Sequence, residues 1–237
     1  MAERAITRPP RVHVRGVDRS GSLCHERWLR HGDDPQVVLR AQGWEPSGLV
    51  SISTLRSPTL EIALDYRVSR APKTEPPAYD VPRDDGLRIM EGELPIRYQR
   101  VAAYAVVTST RGTLMSQASH RTSTQGQWGL PGGGLDDGED PDDAVVREVW
   151  EESGQHVRLA GALDVVTQHW VGRAPSRRLE DFHAIRLVYR AVCVAPTEPV
   201  VHDVGGTTAA AAWMTDEQLA QADIATWARP LLTRSLA

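Results

Sequence analysis

The chain has 237 residues, 27 Lys and Arg against 31 Asp and Glu, and a net charge of −4. That length holds one large domain or two small ones, with ample material for a buried core. The charge balance excludes a broadly basic, nucleic-acid-polymer-binding surface; no apolar run reaches membrane length, and the opening MAERAITRPPRVHV has no apolar signal core.

A cytoplasmic protein that does not engage membrane is therefore expected. Cys24 and Cys193 show no redox or metal spacing and read as reduced thiols.

Residues 1–20 are polar and arginine-rich and are expected to be partly loose. Asp34-Pro35 opens a short helix over about 35–42 that Gly43 closes. Leu49–Thr54 and Leu60–Ser69 carry strand patterns. One helix and two strands are too little for an independent core. Val37, Leu39, Trp44, Ile62 and Leu64 are therefore expected to be buried against a neighbouring domain or a second subunit, which leaves a homodimer open. Residues 71–95 hold a Pro- and charge-rich stretch typical of a linker or extended surface arm. The expected division is 1–95, an α+β segment with its linker, and 96–237, the larger domain.

The second part begins with a long apolar strand, Tyr98–Thr108. A loop of small polar residues is expected over 116–127, then WGLPGGGLDDGE. Asp140-Pro141 starts a helix, with a capping side chain followed by proline at the first helical position. Asp142 and Asp143 suit its first turn, and Gly154 suits its end. At about 100° per residue, Val145, Val146, Val149 and Trp150 share an arc that should face inward. Glu148, Glu151 and Glu152 fall on the adjoining arc, near the negative end of the helix dipole, and both effects oppose stability. Strands are expected at Val157–Gln168, Phe182–Val194 and Ala209–Met214, and helices at Asp216–Ala222 and Ile224–Leu236.

Gly133, Glu139, Arg147-Glu148, Glu151-Glu152 and Gly154 stand in the pattern G-x5-E-x7-R-E-U-x-E-E-x-G, with U a bulky apolar residue. An acidic helix face is ordinarily a solvated surface, here steadied by an i, i+4 pair of Arg147 and Glu151. The glycine loop in front of it favours another reading, a set of hard oxygen ligands for Mg²⁺ or Mn²⁺.

The pattern resembles the Nudix box, complete to Gly154. The one departure is Gln155, where the family prefers an apolar residue; Val157 is a candidate to supply that packing. The resemblance covers roughly 97–237 and implies an α/β fold, an α/β/α sandwich with a mixed sheet, to which a small N-terminal α+β segment is added. It implies a pyrophosphohydrolase that cleaves a diphosphate linkage in a nucleotide by attack of water on phosphorus, with Mg²⁺ or Mn²⁺ bound. By the same resemblance the Gly132 carbonyl, Glu148, Glu151 and Glu152 hold the metal, and Glu148 or Glu152 helps deprotonate water. Arg147 and Glu139 brace the glycine loop against the helix.

Asp203, ahead of Trp213, is the candidate for a further acidic ligand, with a turn aspartate as the alternative and Glu180 and Asp181 as rivals. Gly205 and Gly206 are candidates for phosphate contact through backbone N–H groups, or a plain turn. Arg177 and Arg178 are candidate phosphate partners, or plain surface arginines. Trp128, Trp170 and Trp213 either stack a base or pack the core. His156, His169, His183 and His202 show no ligand spacing and receive no role. Relatives acting on ADP-ribose tend to carry a proline past the box; here the region reads Gln168-His169-Trp170-Val171, with Pro175 too late. The NADH-type motif SQPWPFP is absent. A nucleoside triphosphate or nucleoside diphosphate derivative remains, with a nucleotide sensor of the same fold as the competing function.

Overall fold

The computed structural model describes residues 10–57, 59–77, 80–174 and 176–234. Residues 1–9 of the arginine-rich start and Pro175 lie outside the described residues. The chain divides into two compact units: 1–101 with 165–186, and 102–164 with 187–237.

In the first unit, RVHVRGV alternates at period two, and that alternation makes it a strand rather than a loose segment. Strand β1 (Arg11–Val17) buries Val12 and Val14 on one face. Its edge pairs with the parallel strand β4 (Thr59–Arg70), and opposite charges of the two strands meet on the other face. Arg15 pairs with Asp65 at 3.0 Å and His13 with Glu61 at 3.3 Å. The expectation of a loose N-terminus thus fails over 11–17, because the arginines decorate one side of a strand whose other side is apolar. Strand β2 (Leu23–Trp28), also unforeseen, runs antiparallel to β1, and β3 (Trp44–Ser57) runs antiparallel to β4. The sheet order is β2-β1-β4-β3.

Helix α1 (Pro35–Ala41) starts where Asp34 accepts hydrogen bonds from the Gln36 and Val37 amides, at 2.9 and 3.0 Å. Leu39, Ile62, Leu64 and Tyr66 are fully buried, together with Val12, Val14 and Val38. A four-stranded sheet covered by a helix supplies the core that one helix and two strands lacked. Trp44 is buried as expected, whereas Val37 is only half-buried and Val38 takes its place.

The described residues of 71–95 form no helix or strand, but they are tied down. Val171 and Pro82 exchange a backbone hydrogen bond at 2.8 Å, and Asp84 and Val171 another at 3.0 Å. Arg173 grips Glu93 through both carboxylate oxygens, at 2.5 and 2.6 Å.

The second sheet follows the order β11-β6-β5-β10-β9, with β7 on β6 and β8 on β5. Its strands are β5 (Ile96–Ser109), β6 (Gly112–Ala118), β7 (Trp128–Gly129), β8 (Gly132–Gly134), β9 (Arg158–Arg173), β10 (Leu179–Val192) and β11 (Thr208–Met214). The loop expected from 116 begins later, because 112–118 forms a hairpin with β5 through Thr108–Thr113 and Ser109–Gly112. Helix α2 (Pro141–Ser153) carries the acidic cluster. Helix α3 (Asp216–Gln221) opens with a capping box at Thr215 and Gln218. The last helix, α4 (Arg229–Arg234), starts later than the expected 224.

Val106, Val107, Leu114, Met115, Val145, Val149, Leu187 and Leu231 form the core of this unit. Sheets with few helices make a mixed α/β protein. No described helix is long and apolar enough to cross a membrane.

Candidate active site

Three glycines set the floor of the site. Strand β8 lies antiparallel to β5, with Gly132 opposite Tyr104 and Gly133 opposite Ala103. A Cβ on Gly132 would meet the Ala103 carbonyl oxygen at 2.2 Å, and φ is +143° there. A Cβ on Gly133 would fall 2.4 Å from a carboxylate oxygen of Glu148. Only bare backbone fits between β5 and the acidic helix.

Helix α2 keeps the expected bounds, with Gly154 closing it in the left-handed region at φ 67°. Two expectations about it fail. Asp140 occupies the N-cap position but makes no side-chain cap hydrogen bond; the proline at the next position presets the helical φ instead. Val146 and Trp150 are exposed. The buried stripe runs through Ala144, Val145, Val149 and Glu152, a rotation that carries one carboxyl inward in place of the tryptophan. Trp150 instead stacks flat on His202, with ring centroids 4.5 Å apart.

Glu152 is 6 % exposed. The Gly132 amide donates to its Oε2 at 3.1 Å and the Thr208 hydroxyl to its Oε1 at 2.6 Å. Burial pushes its carboxyl up to about 7, against the pull of hydrogen-bond donors, Thr208 first among them. Glu148 and Glu151 are held differently. Arg147 Nη1 lies 3.1 Å from Glu148 Oε1 and 3.1 Å from Glu151 Oε2. The same guanidinium donates twice to Glu139 at 2.8 Å and once to the Gly134 carbonyl at 3.2 Å. Glu139 in turn accepts from the Asp136 amide at 2.8 Å. Arg147 thus links the glycine loop, the turn at 136–139 and both half-exposed glutamates. The hydrogen bonds from Arg147 hold the Glu139 carboxyl below the ordinary carboxylate range.

The loop before β11 closes the helix end. Val200 donates to the Ser153 carbonyl, and His202 and Asp203 both donate to that of Glu151, at 2.9, 2.7 and 3.0 Å. Carbonyls left over in the last helical turn are satisfied in this way. The Asp203 carboxylate accepts from the Thr207 amide at 3.3 Å, and the place of a Gly206 Cβ is filled by that carboxylate. Asp203 sits in a turn that Gly205, at φ 78°, and Gly206 build with it, directly after the end of α2.

Arg177 and Arg178 fall in the first unit. Arg178 pairs with Glu180 and lies over the Tyr98 ring; the Arg177 carbonyl accepts from Arg173. Asp181 faces His31 and His169. Gln155 needs no replacement by Val157: it is buried and satisfied by Thr197, which donates its amide at 3.0 Å and accepts from the Gln155 side chain at 3.0 Å. Thr208 was not legible beforehand, since nothing local marks a threonine at a strand start as the partner of a helix 56 residues away.

A buried carboxyl beside a glycine strand, with Glu151 next to it and Glu148 one helical turn earlier, defines an acidic α/β site with hard oxygen donors. The family profile of the NUDIX domain matches residues 98–235, more than half of the chain. The chain belongs to the Nudix family.

Among curated relatives, an RNA pyrophosphohydrolase of Psychrobacter cryohalolentis is 51% identical over 51 residues, covering 21% of this chain and 29% of that protein. An 8-oxo-dGTP diphosphatase of Proteus vulgaris is 32% identical over 73 residues, covering 31% and 65%. The chain thus spans under a third of the first of these relatives and just under two thirds of the second. A MutT NUDIX hydrolase structure from Burkholderia pseudomallei aligns at 28% identity and TM-score 0.45, covering 58% of this chain and 98% of that one.

Proposed function

We propose that the chain is a pyrophosphohydrolase that cleaves a diphosphate linkage in a nucleotide by attack of water on phosphorus. The observation that carries this reading is Glu152. It is a carboxyl buried between the Gly132 amide and the Thr208 hydroxyl, with Glu148 and Glu151 on the same end of the helix. Burying a carboxylate is costly unless an opposite charge compensates it. Arg147 pairs with the other two glutamates, while Glu152 is met by the neutral donors of Gly132 and Thr208.

The donor set fits a small divalent cation: carboxylate oxygens, a nearby backbone and no soft ligand suit Mg²⁺ or Mn²⁺. Glu148, Glu151 and Glu152, with the Gly132 backbone, are the residues that would hold it. When bound, such an ion neutralises phosphate oxygens and lowers the pKa of the attacking water. The chain's own work is positioning, which dominates phosphoryl chemistry. Arg147 fixes where Glu148 and Glu151 stand relative to the glycine strand. Glu148 or Glu152 accepts the proton of the attacking water. Asp203, whose amide donates to the Glu151 carbonyl, is a candidate further ligand, and Arg177, Arg178, Gly205 and Gly206 are candidate phosphate contacts.

The names of the relatives share a diphosphate target but differ in what bears it, an RNA in one and 8-oxo-dGTP in the other. A nucleoside triphosphate or nucleoside diphosphate derivative is the substrate class we favour. The test is a panel of nucleoside triphosphates, dinucleotide and sugar derivatives of nucleoside diphosphates, and 5′-triphosphorylated RNA. Each is incubated with the full chain and Mg²⁺ or Mn²⁺ while phosphate and pyrophosphate release are followed. Turnover lost in Glu152→Gln supports the reading. Tight nucleotide binding with no release under any condition supports the sensor function instead.

A further inference from the structure

We propose that His31, His169 and Asp181 form a second metal site, built for Zn²⁺ or a transition ion of similar preference. Among the described residues, this is the group whose ligand atoms all lie within 4.8 Å of one another. Nε2 of His31 and Nε2 of His169 approach the same Asp181 Oδ1, at 3.1 and 2.5 Å. Donors around a tetrahedral zinc stand about 3.3 Å apart, given bonds of about 2.0 Å, so the His169–Asp181 pair must open from 2.5 Å, His31–Asp181 already fits at 3.1 Å, and the ligand atoms of the two imidazoles lie within 4.8 Å of each other. Their side chains are 16, 13 and 19 % exposed, sheltered yet reachable by an ion.

All three residues lie in the first unit, and three separate segments bring them together. His169 is on β9 and Asp181 on β10, while His31 sits in the turn between β2 and α1. That turn is pinned. Asp33 accepts from the Arg30 amide at 3.0 Å, and Asp34, while capping α1, accepts from the Thr167 hydroxyl at 2.9 Å. Thr167 shares a strand face with His169 two residues on. Gly32 brings the turn's backbone against His169, because a Cβ there would lie 2.7 Å from His169 Nδ1. His31 is thus held by contacts on both sides of it, as a positioned ligand needs to be.

The surroundings also suit an ion. His183, fully buried two residues beyond Asp181 on the same strand face, places its ring 5.5 Å from His31 and 6.0 Å from His169. Its Nδ1 meets Gln99 Oε1 at 3.2 Å. Arg97 approaches Asp181 Oδ2 only at 3.8 Å, from a side chain that is 80 % exposed. Two imidazoles and one carboxylate favour zinc over magnesium and leave a fourth position for water or another donor. The set therefore differs in chemistry from the all-oxygen cluster of α2. Zinc here would fasten the 30–34 turn to the β9–β10 hairpin, so that its binding free energy adds to the stability of the fold.

The test uses the full chain, stripped with EDTA and titrated with Zn²⁺ against a chromogenic indicator, then with Co²⁺ while visible absorption is recorded. We expect one Zn²⁺ per chain at micromolar concentration, in the wild type and in Glu152→Gln alike. His31→Gln and Asp181→Asn, checked for folding by circular dichroism, should each weaken it by at least about 100-fold, since even outer partners of metal ligands are worth 10–100-fold. X-ray absorption at the zinc edge of the wild type, which needs no variant, should show imidazole ligands. Unchanged affinity in the two variants, zinc lost in Glu152→Gln, an all-oxygen shell or no micromolar binding would each overturn the proposal and leave a hydrogen-bonded His–Asp–His clamp.

Discussion

The Thr208 hydroxyl donates a 2.6 Å hydrogen bond to Glu152 Oε1, joining the first residue of β11 to the buried end of α2. With the Gly132 amide on the other oxygen, it completes a two-sided seat for one carboxyl. Replacing Thr208 by Val keeps the shape and removes the donor. A buried acceptor that loses a partner costs about 1–3 kcal/mol. We expect Thr208→Val to lower stability by that order in urea unfolding at pH 6. Divalent-ion dependence of turnover should also shift to higher concentration. An unchanged midpoint would show that the threonine is a bystander.

Glu152 gives the chain a pH dependence of definite sign. Its carboxyl titrates near 7 when folded, against an ordinary 4.5. Between those values the folded state holds a proton that the unfolded state has released. Stability from this group is therefore complete below 4.5 and is lost as pH rises through 7. In EDTA, the wild type should lose on the order of 3 kcal/mol across that window from this group, at about 1.4 kcal/mol per pKa unit. Glu152→Gln should flatten that slope and melt higher than wild type at pH 8. Added Mg²⁺ should narrow or reverse the difference, because the ion binds the folded wild type. The same variant should lose at least about 10²-fold in kcat, the scale of a major electrostatic element. Parallel pH–Tm curves for the two proteins in EDTA would overturn the assignment.

The acidic helix was readable because its signals are local. Asp140-Pro141, the two first-turn aspartates and Gly154 all act within one helical turn, and the helix bounds follow from them. Which arc faces inward was not readable. Trp150 looks like core by hydrophobicity, yet it is exposed on His202 while Glu152 is buried on donors from β8 and β11, which lie far away in the sequence. Strand β1 was hidden by composition: Arg11, His13 and Arg15 mask the buried Val12 and Val14 unless the period is counted. The cluster of His31, His169 and Asp181 joins three distant segments, and only the spacing of Asp181 and His183 on one strand face offered a hint. Gly132 and Gly133 read as part of a glycine loop in front of the helix, and they make a short strand that needs bare backbone.

Arg147 is the second electrostatic joint of the site. Its guanidinium reaches Glu139, Glu148, Glu151 and the Gly134 carbonyl, a geometry that lysine cannot copy. Arg147→Lys should destabilise the chain by about 1–3 kcal/mol, the range for a broken, partly buried polar network. Glu139 adds an acid-side signature. Its carboxyl is held low chiefly by Arg147, so its contribution is present above the ordinary 4.5 and is lost as pH falls through its folded value. Wild type should show this acid loss in melts below pH 4.5, and Glu139→Gln should show a shallower one. Turnover in Arg147→Lys should fall mainly in kcat, since the glutamates lose their registration while substrate contacts persist. An unaltered kcat with weaker substrate binding would instead make Arg147 a direct substrate contact.

The arm at 71–95 depends on a small number of polar ties. Arg173 contacts both oxygens of Glu93 and also the carbonyls of Arg88 and Arg177, while its own amide donates to Asp84 at 3.2 Å. The Glu93 carboxyl is held down to about 2, first by its hydrogen bond from Arg173. Apolar anchoring there is weak: Met90 and Leu94 are largely exposed, and Ile89 is exposed as well. A segment held by few buried contacts opens readily once its ties are cut. Arg173→Ala should therefore speed cleavage within residues 84–95 by a low concentration of a broad-specificity protease. Global unfolding in urea should stay nearly the same, because the β1–β4 core makes no use of Arg173. Raising the salt concentration should accelerate cleavage of the wild type and bring it toward the variant, since the Arg173–Glu93 pair is solvent-accessible and screened. Mass spectrometry of the first fragments locates the cut. First cleavage outside 84–95 in both proteins, at equal rates, would show that the arm is held by its backbone bonds to β9 alone.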